Sequence, residues 1–217
     1  MAVKLTTADY VAYLKRAYVK LHADGDYITG LDLATGDGDH WTNMDTGFAK
    51  LTEQAEELEK LPLAEAFQKI SMTLMTVIGG SGGILYASAY MEAAKRAKGL
   101  ETLSSSDVCN MLEGMEVAIM NRGKSKPGDK TMLDALDHAV RCYQDCLSSG
   151  KSEPETFKAV REAAEVGAES TRDMPAIRGR AYYQANKGVG HLDPGAVTMC
   201  YQIQTLMDCM TEKTEQR

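Results

Sequence analysis

The chain has 217 residues, 44% hydrophobic and 25% charged, a length and balance that suit a single globular domain over residues 1–217 and exclude a disordered chain. Its formal net charge is -7, and no run of lysine or arginine is interleaved with aromatics, so binding to nucleic acid has no electrostatic support. No window reaches the ~18 consecutive apolar residues of a membrane span, and the start "MAVKLTTADY" lacks an apolar leader core, so the expected setting is the cytoplasm, away from a membrane.

Apolar residues recur at the helical period almost throughout, and strand-like alternation is nearly absent. Thr6 or Thr7 can cap a first helix with Tyr10, Leu14, Ala17, Tyr18 and Leu21 on one stripe, ending before Gly25. A loop then runs through Gly36-Asp37-Gly38. A second helix covers about 43–59, stopping near Pro62, and a third covers 63–77. The cluster "GGSGG" at 79–83 separates it from a fourth over about 84–98. Ser104 to Ser106 offer caps for a fifth over about 105–121, and "NRGKSKPGDKT" is the next break. A sixth (about 131–148) and a seventh (about 153–173) follow; "RGRAYYQANKGVGHLDPG" then leads to an eighth from Pro194 to about Met210, with Asp193 before its first-turn proline. Five cysteines form no C-x-x-C pair and all fall on helical stretches, so they read as reduced, face-filling thiols; Met72, Met75, Met91, Met111, Met115 and Met120 read as core.

Eight helices with short connections imply an all-α, antiparallel up-and-down bundle or closed barrel. In that order every second connection lies at the same end. The four polar, glycine-rich connections (before helix 2, and between helices 3 and 4, 5 and 6, and 7 and 8) alternate with plainer ones such as "EKLP", so all four gather at one end.

That end carries Asp32, Asp37 and Asp39. Each alone could cap a turn. Three together in a loop held by Gly36 and Gly38 repel unless a cation neutralises them, and hard oxygen ligands without cysteines favour magnesium or calcium over zinc. The spacing is not that of an EF-hand. Magnesium held by few carboxylates commonly completes its shell from substrate phosphates. The glycines of 79–83 allow close backbone approach at a helix N-terminus, which suits an anion. "GKSKPGDKT" is no P-loop: Gly123 to Lys130 has one residue too many and no strand precedes it.

"LDLATGDGDHWTNMDTGF", "IGGSGG", "NRGKSKPGDKTMLDAL" and "RGRAYYQANKGVGHLDPGA", in this order and spacing, resemble the nucleotide-binding subunit of dihydroxyacetone kinase, from about Tyr10 to Met207. The resemblance implies an eight-helix antiparallel barrel holding a nucleotide and two magnesium ions at one end. It makes Asp32, Asp37 and Asp39 the magnesium ligands and, with His40, the catalytic set. His40 and Asn43 would contact phosphates, with Gly80 and Ser81 approaching from the glycine-rich turn. Gly123 and Met132 would border the nucleoside, Arg180 would neutralise phosphate charge, and Asp193 with Gly195 would close the pocket.

Other residues are less determined by their surroundings. His40 alone would pass for an exposed loop histidine, and for His191 a structural role and a phosphate contact both stay open. Asp45 reads as a solvated charge near a helix start, and His22 and His138 have no distinguishing context. Two features depart from the family pattern. Trp41 stands where the family commonly has glycine, and Ser81 sits one place from the usual serine of G-G-x-S-G, which leaves the phosphate end of the pocket open to a different shape.

The family holds its ketone substrate on a separate domain. The resemblance therefore implies a kinase subunit transferring a phosphoryl group from Mg-bound nucleotide to a triose on a dihydroxyacetone-binding partner. Chain length favours the phosphotransferase-system type, in which ADP stays bound as a cofactor and a phosphohistidine protein recharges it, over the ATP-exchanging type. The alternatives are a Mg/ADP-binding regulator without transfer activity and an ATP-dependent kinase subunit for another small substrate.

Overall fold

A computed structural model describes residues 2–216. Among them are eight long helices: α1 (Thr7–Ala23), α3 (His40–Glu53), α5 (Leu63–Val77), α6 (Gly80–Arg96), α7 (Ser105–Gly123), α8 (Met132–Ser148), α9 (Glu153–Ser170) and α10 (Pro194–Glu215). Two short ones, α2 (Gly25–Thr35) and α4 (Ala55–Leu58), complete the set, with two 3-10 turns in the segment between α9 and α10. The only extended pairing among the described residues is one antiparallel bridge, Leu5 to Leu103. Among the described residues no helix is long and apolar enough to cross a membrane.

The helix starts follow from side-chain chemistry. Thr6 and Asp9 form a capping box on α1, with Asp9 N–H to Thr6 Oγ1 at 3.2 Å and Thr6 N–H to Asp9 Oδ2 at 2.8 Å. Ser104 with Asp107, Thr131 with Asp134 and Ser152 with Glu155 repeat the device on α7, α8 and α9. Asp193 caps α10, accepting the Ala196 N–H at 2.7 Å, with Pro194 in the first turn.

Each long helix packs on the next, from α1 on α3 and α3 on α5 through α9 on α10, and α10 returns to α1. The ring is therefore a closed, up-and-down barrel of eight helices. One continuous core fills it, including Phe48, Phe67, Tyr86, Tyr90, Tyr143 and Phe157. Each such side chain contributes roughly 1.5–3 kcal/mol on leaving water. α10 is the most enclosed element, and its buried polar groups are satisfied: Gln202 donates to the Tyr86 hydroxyl at 2.7 Å and to the Thr198 carbonyl at 3.0 Å.

Several elements differ from the sequence expectation. The stretch after Gly25 is not a loop but α2, separated from α1 by Asp24 alone. Gly25, Ile28, Asp32 and Thr35 are its buried positions, a helical spacing disguised because the inward side chains are small or polar. The expected second helix is broken at Gln54 into α3 and α4. The glycine cluster is not a separator but the first turn of α6, where a Cβ on Gly83 would lie 2.3 Å from the Ile78 carbonyl. Met72, Met75 and Met91 are not core. α5 buries Leu63, Ala66, Phe67, Ile70, Ser71 and Leu74, leaving Met72 and Met75 on its outer face, whereas Met111 and Met115 are buried. All five cysteines are free thiols on α7, α8 and α10.

Two predictions concern this frame. α8 and α9 approach at Gly167, where a Cβ would lie 2.3 Å from the Asp134 carbonyl. Gly167→Ala should therefore destabilise the barrel by about 1–3 kcal/mol, measured by urea denaturation. In the α7–α8 seam, burial and the adjacent charge of Asp137 push the Glu116 carboxyl up to about 7, while Arg141 pairs with Asp137 at 2.8 Å. A carboxyl raised above its unfolded value gives stability that is present in acid and is lost as pH rises through about 7. Glu116→Gln should accordingly melt higher than wild type at about pH 8, with the difference closing towards about pH 5.

Candidate functional site

The connections 36–39, 78–79, 124–131 and 171–193 all lie at one end of the barrel, as alternation requires. They surround two adjoining cavities of 510 and 380 Å³ that share Asp39, His40, Ser81 and Arg180. An 880 Å³ groove on the outer face of α3–α5 is larger but contains none of the chemistry-bearing residues. Convergence of loops, not size, marks the site.

Asp32 sits near the end of α2 with its carboxylate buried, accepting the His40 N–H at 2.9 Å. Gly36 makes room for it: a Cβ there would lie 2.4 Å from Asp32 Oδ1. Gly38, at φ +80, turns the chain back so that Asp37 and Asp39 face Asp32. Carboxylate oxygens of the three lie within 4.8 Å of one another. Arg180 reaches across from the α9–α10 segment to pair with Asp37 at 2.5 Å. Three negative groups against one guanidinium leave a strong local excess of negative charge, which a bound cation would relieve.

His40 opens α3 and is packed against α10. Its Nε2 lies 2.9 Å from Thr198 Oγ1, and that hydroxyl lies 3.2 Å from the Gly195 carbonyl. A carbonyl can only accept, so the single hydroxyl proton goes to Gly195 and the ring donates through Nε2, leaving the Nδ1 lone pair free. Burial lowers the His40 pKa, against the opposing pull of Asp32 and Asp39. One turn later Asn43 Oδ1 accepts the Gly79 N–H at 3.2 Å, tying α3 to the glycine turn; a Cβ on Gly79 would lie 2.8 Å from that oxygen. Gly80, at φ +63, then starts α6, and Ser81, despite its displaced position in the motif, borders both cavities.

The opposite wall comes from three elements. Gly123 ends α7 and Met132 begins α8, while Asp193 and Gly195 flank the first turn of α10; all four line the larger cavity. Burial pushes the Asp193 carboxyl up to about 7, against the Ala196 N–H and Lys130, which favour its charged form. The structure thus brings every sequence-predicted site residue to the two cavities, with Asn43 and Gly80 in the smaller one. His191 is exposed and uses its backbone carbonyl, which accepts from Lys130.

Three side chains at the site have no sequence signal that names them. Thr198 orients His40 from a helix 158 residues away. Arg178 donates to the Lys124 carbonyl at 2.6 and 2.9 Å, docking the α9–α10 segment on the α7–α8 connection. Lys130, in the "GDKT" of that connection, is only 2% exposed.

Trp41 does not reshape the cavity. Its indole N–H donates to the Leu21 carbonyl at 3.1 Å, and its ring lies over Gly25, where a Cβ would be 2.7 Å from Cε2. Beside it His22 pairs with Asp45 at 2.8 Å, so Asp45 is a paired group rather than a freely solvated charge. The tryptophan fills the junction of α1, α2 and α3 and thereby seats the helix that carries Asp32.

The family profile described as "DAK2 domain" matches residues 34–208. The ADP-binding subunit DhaL of the PEP-dependent dihydroxyacetone kinase of Escherichia coli K12 is 31% identical over 204 residues, covering 94% of this chain and 97% of that one. The corresponding subunit of PEP-dependent dihydroxyacetone kinase 2 of Listeria innocua is 36% identical over 178 residues, covering 81% and 82%. Among solved structures, the dihydroxyacetone kinase of C. freundii in its native form aligns with a TM-score of 0.71 at 23% identity, covering 95% of this chain and 36% of that longer one. The same enzyme in complex with AMP-PNP and Mg2+ gives 0.70 at 22% identity, with 35% of it covered. At such identity these two likenesses are of fold.

Because Trp41 braces α2 from outside the cavity, Trp41→Phe should remove the bond to the Leu21 carbonyl and lower stability by about 1 kcal/mol. Thermal or urea unfolding measures this, and crystallography of the variant should find the spacing of the three aspartates unchanged.

Proposed function

Since the chain belongs to the DAK2 domain family, we propose that it is the nucleotide-binding subunit of a PEP-dependent dihydroxyacetone (triose) kinase, a phosphotransferase working on a triose held by a partner subunit. The observation that carries this reading is the set of three carboxylates within 4.8 Å of one another, facing the N-terminus of α6 across a shared cavity. Carboxylates on one side and a helix N-terminus on the other are complementary to a magnesium-bound phosphate chain. The name of the Escherichia coli relative, an ADP-binding subunit, agrees with that chemistry, as does the AMP-PNP and Mg2+ complex of the C. freundii enzyme.

In this reading Asp32, Asp37 and Asp39 hold two magnesium ions. Bound magnesium would neutralise the phosphate oxygens and so ease phosphoryl transfer. The chain's own groups position and shield. His40, held by Thr198 with its Nδ1 lone pair unused, and Asn43 stand on the phosphate side, with the Gly80 and Ser81 backbone opposite them. Arg180, paired with Asp37 beside the same cavity, would neutralise phosphate charge. Gly123 and Met132 border the nucleoside, and Asp193 with Gly195 closes the base of the cavity.

The partners are a dihydroxyacetone-binding kinase subunit and a phosphohistidine donor protein of the phosphotransferase system, with ADP retained as a cofactor in the cytoplasm. The names of the Escherichia coli and Lactococcus lactis relatives, PEP-dependent and PTS-dependent, support this over free ATP exchange. A purely regulatory reading draws on Trp41 and the altered glycine turn; Trp41 lies outside the cavity, and Ser81, though displaced in the motif, still borders it.

The test is twofold. Protein purified gently and then denatured should release stoichiometric ADP, and native protein should become labelled on that nucleotide by a phosphohistidine donor; free exchange with ATP would favour the ATP-dependent type instead. Asp37→Asn should abolish magnesium-dependent ADP binding, measured by calorimetry, while leaving the helical circular-dichroism spectrum intact. Wild-type affinity in that variant would remove the metal assignment.

A further inference from the structure

Lys130 is a long cation in a place where cations are costly. Its side chain is buried, and its backbone takes φ +61, a left-handed conformation that residues with a Cβ seldom adopt. Asp134 holds it there: one carboxylate oxygen accepts the N–H of Gly128 and the other accepts the N–H of Thr131 at 2.7 Å, bracketing the lysine. The side chain then runs inward past Gly188, where a Cβ would lie 3.1 Å from Lys130 Cε.

The ammonium donates to two backbone carbonyls, those of Thr171 and His191. These are the two ends of the segment that joins α9 to α10. The segment closes on itself between those ends, with the Gly190 N–H to the Arg172 carbonyl at 2.8 Å and the Ala176 N–H to the Lys187 carbonyl at 2.9 Å. Outward, it touches the site through the Ile177 N–H to the Asp129 carbonyl at 3.1 Å, Gln184 Nε2 to the Ala34 carbonyl at 3.1 Å, and the Arg180–Asp37 pair. One side chain thus ties the start and the finish of the segment whose Arg180 pairs with Asp37.

We propose that Lys130 is a positioning residue, a latch whose ammonium gathers both ends of the 171–191 segment and so sets Arg180 over the carboxylate array. Lysine suits this role because an ammonium has three donors in a compact head and can serve two carbonyls that approach from different directions. Methionine would match its length without any donor. Lys130 also borders the larger site cavity beside Asp193, but its ammonium is engaged by the two carbonyls, and the latch acts on the carboxylate array through Arg180. The consequence for ligand binding rests on the reading of the cavity as a nucleotide site, whereas the consequence for the segment does not.

The experiment compares wild type, Lys130→Met and Lys130→Gln by amide hydrogen exchange and by Mg·ADP titration, each with and without Arg180→Ala. The latch predicts faster exchange confined to 172–190 in Lys130→Met, with α1 to α10 protected as in wild type. It also predicts about tenfold weaker Mg·ADP binding, the loss expected of one charge-assisted contact. Arg180→Ala should then add little in the Lys130→Met background, because the arginine is already misplaced. Lys130→Gln, with one amide to offer, should fall between the two.

Unchanged exchange of the segment in a folded variant would overturn the proposal, as would full additivity with Arg180→Ala. Loss of the whole fold in both variants would make Lys130 a core residue and equally overturn it. Wild-type protein that binds no Mg·ADP would instead count against the nucleotide reading, and the exchange measurement would still decide the latch.

Discussion

Carboxylates at close quarters set the terms for this molecule. Asp32, Asp37 and Asp39 present oxygens within 4.8 Å of one another, and the protein answers their mutual repulsion with a single guanidinium from Arg180. Holding them together against that repulsion takes structure on every side. Trp41 seats α2, α2 carries Asp32, Gly36 leaves space beside its carboxylate, and the first N–H of α3 binds it. Each of these is inexpensive alone. Together they keep a mouth with more carboxylate than cationic charge, the condition that the proposed magnesium–nucleotide reading requires.

The barrel makes the opposing charge available. Because consecutive helices alternate in direction and the ring closes, the N-termini of α6, α8 and α10 and the connection before α3 all meet at one end. Helix N-termini offer partial positive charge and unpaired N–H groups. In α8 and α10 those groups are satisfied by Thr131 and Asp193. In α6 the cap is Gly79, whose side chain offers nothing, and the first turn is glycine and serine. At this end neither α3 nor α6 has a side-chain hydrogen bond from its own N-cap residue; the first N–H of α3 takes the Asp32 carboxylate, whereas the first turn of α6, facing the aspartates, is glycine and serine, which suits the phosphate of the proposed reading.

Much of this was legible in the sequence because its cause is local. Three aspartates among glycines cannot be a buried core, and helix caps such as Thr6 and Asp193 act within four residues. What was hidden depends on partners distant in the chain. α2 reads as a loop because Gly25 looks like a stop, until Trp41 is seen to occupy the space a side chain would fill. Thr198 gains meaning only from His40, and Met72 and Met75 take their exposed places only once the buried stripe of α5 is known. Lys130 is the extreme case. A lysine in a polar connection is ordinarily solvated, and nothing local says that two carbonyls 41 and 61 residues later will receive it.

The same separation in sequence explains how the site can be both firm and responsive. The aspartates and His40 sit on or beside α2, α3 and α10, elements fixed by the core, so these groups need not move. Arg180 and Arg178 lie on a segment with little apolar anchorage, held instead by hydrogen bonds to Lys124, Asp129, Ala34 and Lys130. Polar tethers at a surface open at lower cost than packed helices. A rigid acidic floor under a hydrogen-bonded, arginine-bearing cover therefore lets the charge over the carboxylates be tuned by the cover alone: Arg180 can leave Asp37 without disturbing α2, α3 or α10.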